Sequence, residues 1–306
     1  MSADVPVTEP GAPPPFATRA GVRRAVSAAV AAPSVHHTQP WRLRRVDDAT
    51  MELYAGLDRL LIVTDPMGRG LGISCGAALY NLRLALRMTG HYARVTALPD
   101  PAERPGLLAT VRALPGEPPR PGERLLFEMI PRRRTNRFPF DGEPPPREVF
   151  VELVHAAHAE HATLVPVTGR VARRVLELVG TAVPVRGEPP MQDFAPGTAR
   201  PDAAFETEPR PDATFEAEPR LAALFTREDG PRDWLRAGQA LQRVLLTASA
   251  HGVAASLFSQ PLDPQHRGDR AGPFGYVQIL ARFGYGPPDG QVPRRPVNEV
   301  TEGRRD

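Results

Sequence analysis

The chain contains the stretch Gly76-Ala-Ala-Leu79-Tyr-Asn-Leu82-Arg-Leu84-Ala85-Leu86, which continues to Gly90. A second stretch aligns with it without a gap, 162 positions later: Gly238-Gln-Ala-Leu241-Gln-Arg-Val244-Leu-Leu246-Thr247-Ala248, continuing to Gly252. Small residues at the start of each stretch let two helices approach closely, and the leucines bury the remainder. Two similar central helices in one chain predict two similar halves, fused into a pseudo-dimer.

Helix and strand patterns alternate irregularly along the rest of the chain. This arrangement predicts α+β layers rather than a parallel doubly wound sheet. No glycine fingerprint follows a strand pattern, which counts against a Rossmann dinucleotide site. The predicted helices are 19–32, 72–89, 122–130, 147–161, 171–179 and 233–251, and the predicted strands are 42–46, 51–55, 92–98, 107–113, 163–167 and 276–283.

Proline-rich segments indicate the domain limits. We expect a disordered leader at 1–18, a first half at 19–120, a second half at 121–300 and a tail at 301–306. An insertion at about 184–220 contains two tandem decamers, 200–209 and 210–219. We interpret the decamers as a slipped duplication in a tolerant surface loop, with a designed binding element as the alternative. Because so long a loop in a compact domain is often a lid, the insertion is a candidate cover for a site.

Composition limits the class of protein. The 38 basic and 35 acidic residues leave a net charge of +3, and every basic residue is Arg, so any phosphate must be held by guanidinium groups. The basic clusters lack interleaved stacking aromatics, which disfavours nucleic acid as a partner. The single cysteine, Cys75, fits a reducing compartment. Because no apolar run spans a membrane and the start lacks a signal-peptide pattern, we expect a cytoplasmic protein without a membrane partner.

A polar loop lies between Pro33 and Pro40, which keep its backbone out of a helix. Such a loop suits a flat heterocycle with alternating donors and acceptors. The alternative is that Ser34 only ends a helix and the histidines are solvated. A metal site is disfavoured because His36 and His37 are adjacent, so their side chains diverge, and no third ligand is near. The side chains free to face a ligand are those of Ser34, His37, Thr38 and Gln39.

A basic cluster follows at 132–137, with four guanidiniums, one hydroxyl and one amide within six residues. These cations repel one another unless an anion lies among them, and a phosphate monoester matches their geometry. A solvated basic turn is the alternative. A third basic group, Arg294 and Arg295, follows Gly284-Tyr285-Gly286 and could reach the same phosphate. The candidate phosphate residues are therefore Arg133, Arg134, Thr135, Arg137, Arg294 and Arg295.

Taken together, these motifs resemble the flavin-dependent nitroreductases. Their P-S-x-N-x-Q-P-W loop is similar to Pro33-Ser34-x-x-His37-Thr38-Gln39-Pro40-Trp41, and their R-x-S/T-x-R phosphate motif to Arg133-Arg134-Thr135-Asn136-Arg137. Their C-terminal G-Y segment and basic clamp are similar to 284–286 and 293–296. Residues 65–69, 74–79 and 233–241 resemble the actinobacterial Acg-type branch, so the resemblance covers about residues 19–300.

The resemblance implies an α+β nitroreductase-like fold with FMN as cofactor. In ordinary members FMN lies at a homodimer interface, with the loop from one subunit and the arginines from the other. Here both lie in one chain, which implies one FMN in a pseudo-dimeric monomer or a weak homodimer. It places Ser34, His37, Thr38 and Gln39 at the ring and the arginines with Thr135 around the ribityl phosphate. His37 replaces the usual Asn, exchanging an amide for an imidazole.

The implied activity is ping-pong hydride transfer from NAD(P)H through FMN to a small quinone or nitroaromatic-like acceptor. We expect no catalytic side chain and no metal, because the flavin carries the chemistry. The alternative is a flavin-sequestering or storage protein, with a lid over FMN and little or no reductase activity. A third interpretation is oxygen-dependent flavin cleavage, as in a related branch.

Overall fold

Helices and strands alternate along the part of the chain that the computed structural model describes, residues 13–136, 140, 144–168, 220–258, 271–286 and 293–302. None of the helices in this part is long and apolar enough to cross a membrane. The helices are α1 (Arg19–Val30), α2 (Arg69–Arg87), α3 (Pro121–Met129), α4 (Arg147–His158), α5 (Pro231–Ala250) and α6 (Val297–Val300). The strands are β1 (Trp41–Arg45), β2 (Thr50–Ala55), β3 (His91–Ala97), β4 (Leu107–Pro115), β5 (Thr163–Val167), β6 (Arg220–Thr226), β7 (Ala254–Phe258), β8 (Ala271–Gly272), β9 (Gly275–Gly284) and β10 (Thr301–Glu302).

The strands form two sheets with the same internal order. The first sheet runs β10-β1-β2-β4-β3 and the second runs β5-β6-β9-β7, with β8 added to β9. All neighbours are antiparallel except β10, which pairs parallel with β1. The order β1-β2-β4-β3 thus recurs as β5-β6-β9-β7. The prediction of an α+β chain with two similar halves is confirmed.

Helices α2 and α5 cross at the centre, at the glycines that the sequence alignment paired. A Cβ on Gly76 would lie 2.3 Å from the carbonyl oxygen of Leu235, and one on Gly238 would lie 1.9 Å from that of Ile73. Only glycine permits so close a contact between two helix backbones. Beyond the crossing, Gln242 donates a hydrogen bond to Asn81 (2.7 Å) in the buried interface. The crossing is therefore the joint between the two halves.

Each sheet has its own core. In the first, the apolar face of the sheet packs on α1 and α2 around Trp41, Leu43 and Leu53, each no more than 1% exposed. The second places α4 and α5 against the inner face of β6, β7 and β9, around Leu153 and Phe283. Each core is thus closed by one of the two crossing helices, so neither sheet is independent of the joint.

Two limits of the expected domains differ from the structure. Phe16 lies in the predicted disordered leader, yet it is fully buried in the first core, and its amide donates to the carbonyl of Asp48 (3.0 Å). Residues Thr301 and Glu302 were expected in a tail, but they form β10. The described structure therefore begins before α1, and its last residues form a strand. The division into halves at residue 120 stays a prediction.

Some expected elements lie outside the described residues, and some observed strands were not predicted. The expected helix 171–179, residues 184–219 of the expected insertion and its two decamers fall outside the described part, and Arg220 begins β6. The sequence patterns did not predict β6, β7, β8, β10 or α6. The other predicted helices and strands are present, with ends shifted by a few residues.

Gly238→Ala should destabilise the protein, because the added methyl group collides with the backbone of α2. We expect a loss of about 3 kcal/mol or more in the free energy of unfolding, measured by urea denaturation. Gly122→Ala in α3 is the control, since a Cβ there meets no atom within 4 Å. Equal denaturation midpoints for wild type and Gly238→Ala would show that the crossing tolerates a methyl group.

Candidate functional site

The proline-bounded loop (residues 33–40) is held in shape by its own side chains. It contains one turn of 3-10 helix, Val35–His37. The Ser34 hydroxyl accepts a hydrogen bond from the Gln39 amide (3.0 Å), and the Thr38 hydroxyl donates to the carbonyl of Val35 (2.9 Å). His36, His37 and Gln39 all have positive φ, which L-residues rarely adopt. A loop that keeps three such residues is fixed by its surroundings, as is typical of functional sites.

Ser74 of helix α2 and Arg59 hold this loop in place through hydrogen bonds. The hydroxyl of Ser74 accepts from the Val35 amide (3.1 Å) and donates to the carbonyl of Gly70 (2.7 Å). Arg59 donates to the carbonyl of Thr38 (3.2 Å). Our sequence analysis did not single out Ser74 or Arg59 as supports, because neither belongs to a local motif around the loop. The loop is therefore rigidly mounted on the first half of the chain.

Two side chains predicted to face a flat ligand instead contact the C-terminal strap (residues 293–295). The amide of Gln39 accepts from the backbone N–H of Arg295 (2.9 Å) and donates to the carbonyl of Pro293 (3.4 Å). Nε2 of His37 lies 2.5 Å from the same carbonyl oxygen. The same Nε2 also lies 2.9 Å from the side-chain nitrogen of Gln39, which only donates, so the tautomer of His37 decides which of these two contacts is a hydrogen bond. Gln39 and Thr38 are each only 4% exposed, whereas Ser34 and His37 are partly exposed.

The basic segment after α3 lies against the edge of the second sheet. Thr135 forms a β-bridge with Ala255 of β7, and the Asn136 amide donates to the carbonyl of Ala255 (2.8 Å). The hydroxyl of Ser256 donates to the Asn136 carbonyl (2.7 Å). These contacts hold the segment in place and bury Arg133, whose exposed fraction is 3%.

Among the described residues, the buried guanidinium of Arg133 has no negative partner. One of its terminal nitrogens donates to the Thr135 hydroxyl (3.2 Å), and its Nε has no hydrogen-bond partner within the same part of the chain. Burial, together with the nearby charges of Arg294 and Arg134, lowers the pKa of Arg133 to about 9. Burial and the charge of Arg134 lower the pKa of Arg294 to about 10. A depressed arginine pKa means that the surroundings disfavour the positive charge.

Arg133, Arg134 and Arg294 therefore form a cationic cluster, drawn from distant parts of the chain. Arg134 donates to the carbonyl of Pro131 (2.7 Å), and Arg294 donates to the carbonyl of Ala32 (3.0 Å), where the loop begins. Within the described ranges, no carboxylate forms an ion pair with any of the three. An anion bound here would supply the missing negative charge and a partner for the orphaned Nε.

Arg295, another predicted phosphate residue, has its partners elsewhere. Arg295 donates to the backbone carbonyls of Gln39 (3.0 Å) and Glu299 (2.9 Å), so its guanidinium is used to hold the chain. The lowering of its pKa comes first from burial and then from the charges of Arg59 and Arg42. A contact between Arg295 and an anion stays a prediction. Arg137 lies outside the described residues.

Comparison with known proteins gives relatives over nearly the whole chain, although no protein-family model matches it. A Mycobacterium tuberculosis protein named "Putative NAD(P)H nitroreductase Rv3131" is 34% identical over 315 residues, which cover 92% of this chain and 91% of that protein. Another protein of the same species, "Putative NAD(P)H nitroreductase acg", is 40% identical over 124 residues, which cover 40% of this chain and 37% of that protein. The crystal structure of a "putative nitroreductase" from Anabaena variabilis matches with a TM-score of 0.57 and 12% identity, over 83% of this chain and 82% of that one. This last similarity shows the fold alone.

Arg133→Met should stabilise the ligand-free protein, because it removes an uncompensated buried charge and keeps a side chain of similar length. We expect a gain of about 1–4 kcal/mol in unfolding free energy in phosphate-free buffer. Inorganic phosphate should raise the melting temperature of the wild type above that seen with chloride of equal ionic strength, but not that of the variant. Exposed Arg132→Met is the control and should keep the phosphate effect. An equal response to phosphate in both variants would remove Arg133 from the site.

Proposed function

The chain belongs to the nitroreductase family, in its Acg-type branch, and on that premise we propose that it is an FMN-dependent oxidoreductase. It takes a hydride from NAD(P)H and reduces a small quinone or nitroaromatic acceptor. The observation that carries this proposal is the cationic cluster beside the loop, since a buried arginine without a negative partner fits a phosphate monoester. The relatives named as NAD(P)H nitroreductases support the reaction class.

At the phosphate end, the three arginines each contribute hydrogen-bond donors. Arg133 is buried and brings its Nε, which has no partner among the described residues, while Arg134 and Arg294 bring further donors. The Thr135 hydroxyl, which accepts from Arg133, can donate its own hydrogen to a phosphate oxygen. Guanidinium groups pair with phosphate through parallel hydrogen bonds, so this set favours a terminal, doubly charged phosphate.

At the ring end, the proline-bounded loop supplies a fixed surface next to the cluster. Arg294 links the two ends, because it donates to the carbonyl of Ala32 at the start of the loop. Ser34 and His37 are partly exposed and remain candidates for ring contacts. Bound FMN supplies the redox chemistry, accepting hydride and passing electrons to the second substrate. The residues therefore need only to hold and orient it, and no acidic or nucleophilic side chain is required.

FMN binding is the first test. The full-length protein, freed of ligand, is titrated with FMN and followed by flavin fluorescence and visible absorbance. We expect Arg133→Ala to raise the Kd at least about tenfold, because it removes hydrogen bonds to a charged group. Arg132→Ala is the matched control, since it removes an exposed neighbouring guanidinium and should leave the Kd within about twofold. Wild-type protein that takes up no FMN would refute the proposal.

Turnover separates the enzyme from a flavin-holding protein. Steady oxidation of NADPH or NADH with menadione by the FMN-loaded protein is the expected result. A yellow protein that neither nucleotide reduces would support storage instead. Bleaching of the bound flavin under air would point to flavin cleavage. Each outcome has its own absorbance trace, so one set of anaerobic and aerobic scans distinguishes them.

A further inference from the structure

Gln39 uses all of its polar atoms on the C-terminal strap and on its own loop. Its side-chain oxygen accepts from the Arg295 amide, and its side-chain nitrogen donates to the Pro293 carbonyl. Its backbone carbonyl accepts from the Arg295 guanidinium (3.0 Å), and its backbone amide donates to Ser34. Because only 4% of its surface is exposed and its polar atoms already have partners, Gln39 is poorly placed to hydrogen-bond a ligand. Its sequence motif predicts a ring contact, whereas its bonds are those of an anchor.

Two contacts of the Gln39 side chain fall on either side of Arg294, and its nitrogen also lies 2.9 Å from Nε2 of His37. Pro293 and Arg295 are the chain neighbours of Arg294, so fixing the carbonyl of the first and the amide of the second fixes the backbone of Arg294. Nε2 of His37 lies 2.5 Å from the same Pro293 carbonyl oxygen. Beyond the strap, α6 leads into β10, which pairs with β1 from Leu43 to Arg44. Arg294 is therefore held on the first half, while its charge interacts with those of Arg133 and Arg134 beside the second sheet.

Electrostatic repulsion makes such an anchor necessary. Arg294 is largely buried close to two other guanidiniums, and both burial and Arg134 lower its pKa. Without a restraint, a flexible arginine would turn toward solvent and leave the cluster. The hydrogen bond from Arg294 to the Ala32 carbonyl holds the end of the side chain, but nothing in it fixes the backbone. The Gln39 amide supplies that second point of attachment.

We propose that Gln39 is a positioning residue, which fixes the C-terminal strap and thereby holds Arg294 in the cationic cluster, and that it does not contact the flavin. This inference rests on the proposed function and adds that one residue of the loop serves the phosphate of the cofactor rather than its ring. Gln39 acts on the phosphate end of the cofactor through Arg294, although it lies in the loop that faces the ring.

The test compares FMN with riboflavin, which lacks the phosphate. Gln39→Met keeps the side-chain length and removes both hydrogen bonds to the strap. We expect it to weaken FMN binding about tenfold and to leave riboflavin affinity, the bound-flavin absorption spectrum and the flavin midpoint potential unchanged. Gln39→Met combined with Arg294→Ala should bind FMN no more weakly than Arg294→Ala alone, since both act through one guanidinium.

A second variant changes the C-terminal strap itself and leaves the loop unaltered. Pro293→Gly keeps the carbonyl but frees the backbone, and it should also lower FMN affinity while leaving riboflavin affinity unchanged. This variant keeps the proposal testable if Gln39→Met does not fold. Equal losses for FMN and riboflavin, or a shifted flavin spectrum, would place Gln39 on the ring and overturn the inference. Unchanged FMN affinity in both variants would overturn it as well.

A measurement on the ligand-free protein separates this inference from the proposed function. Hydrogen exchange of residues 297–302 reports whether β10 stays docked, whatever the protein binds. Gln39→Met should raise their exchange rate and reduce the stabilisation by inorganic phosphate. If the wild type binds phosphate but no flavin, the proposed function fails while the anchoring role is still tested. Unchanged exchange together with unchanged phosphate stabilisation would overturn the anchoring role itself.

Discussion

The contact between Gly76 and Gly238 is the constraint on which the rest of the structure depends. Because no side chain separates the two backbones, α2 and α5 meet at a distance that larger residues would not permit. Each helix closes the core of one sheet, so this one contact sets the position of the sheets relative to each other. The loop is mounted on α2 and the basic segment lies against β7, and their relative position follows from the same joint.

The candidate site exists only where the two halves meet. The first half contributes a rigid loop whose polar groups are mostly used internally, and the second contributes arginines whose charge is not matched. Arg133 is destabilised by its burial, and Arg294 is brought toward it from the C-terminal end of the chain. Such an arrangement lowers the stability of the ligand-free protein, and in the proposed function it raises the affinity for an anion.

Much of this architecture could be predicted from the sequence, because it depends on side-chain patterns. The repeated glycine and leucine positions predicted the pair of central helices, and the proline and arginine motifs indicated both parts of the site. Other features depend on backbone atoms, which every residue has. The bond between Gln39 and the Pro293 carbonyl has no side-chain counterpart in the strap, and β10 is only two residues long. Phe16 was missed because its proline-rich surroundings have the composition of a disordered leader, although its ring is buried.

The pairing of β10 with β1 also affects when the first sheet and the cationic cluster can form during synthesis. Strand β1 is translated long before its parallel neighbour β10, because most of the described chain lies between them. Contacts between such distant parts of a chain form slowly, since a long loop must close first. The edge of the first sheet therefore stays open until β10 has been translated, and the nascent chain cannot assemble the three cations before Arg294 has been translated.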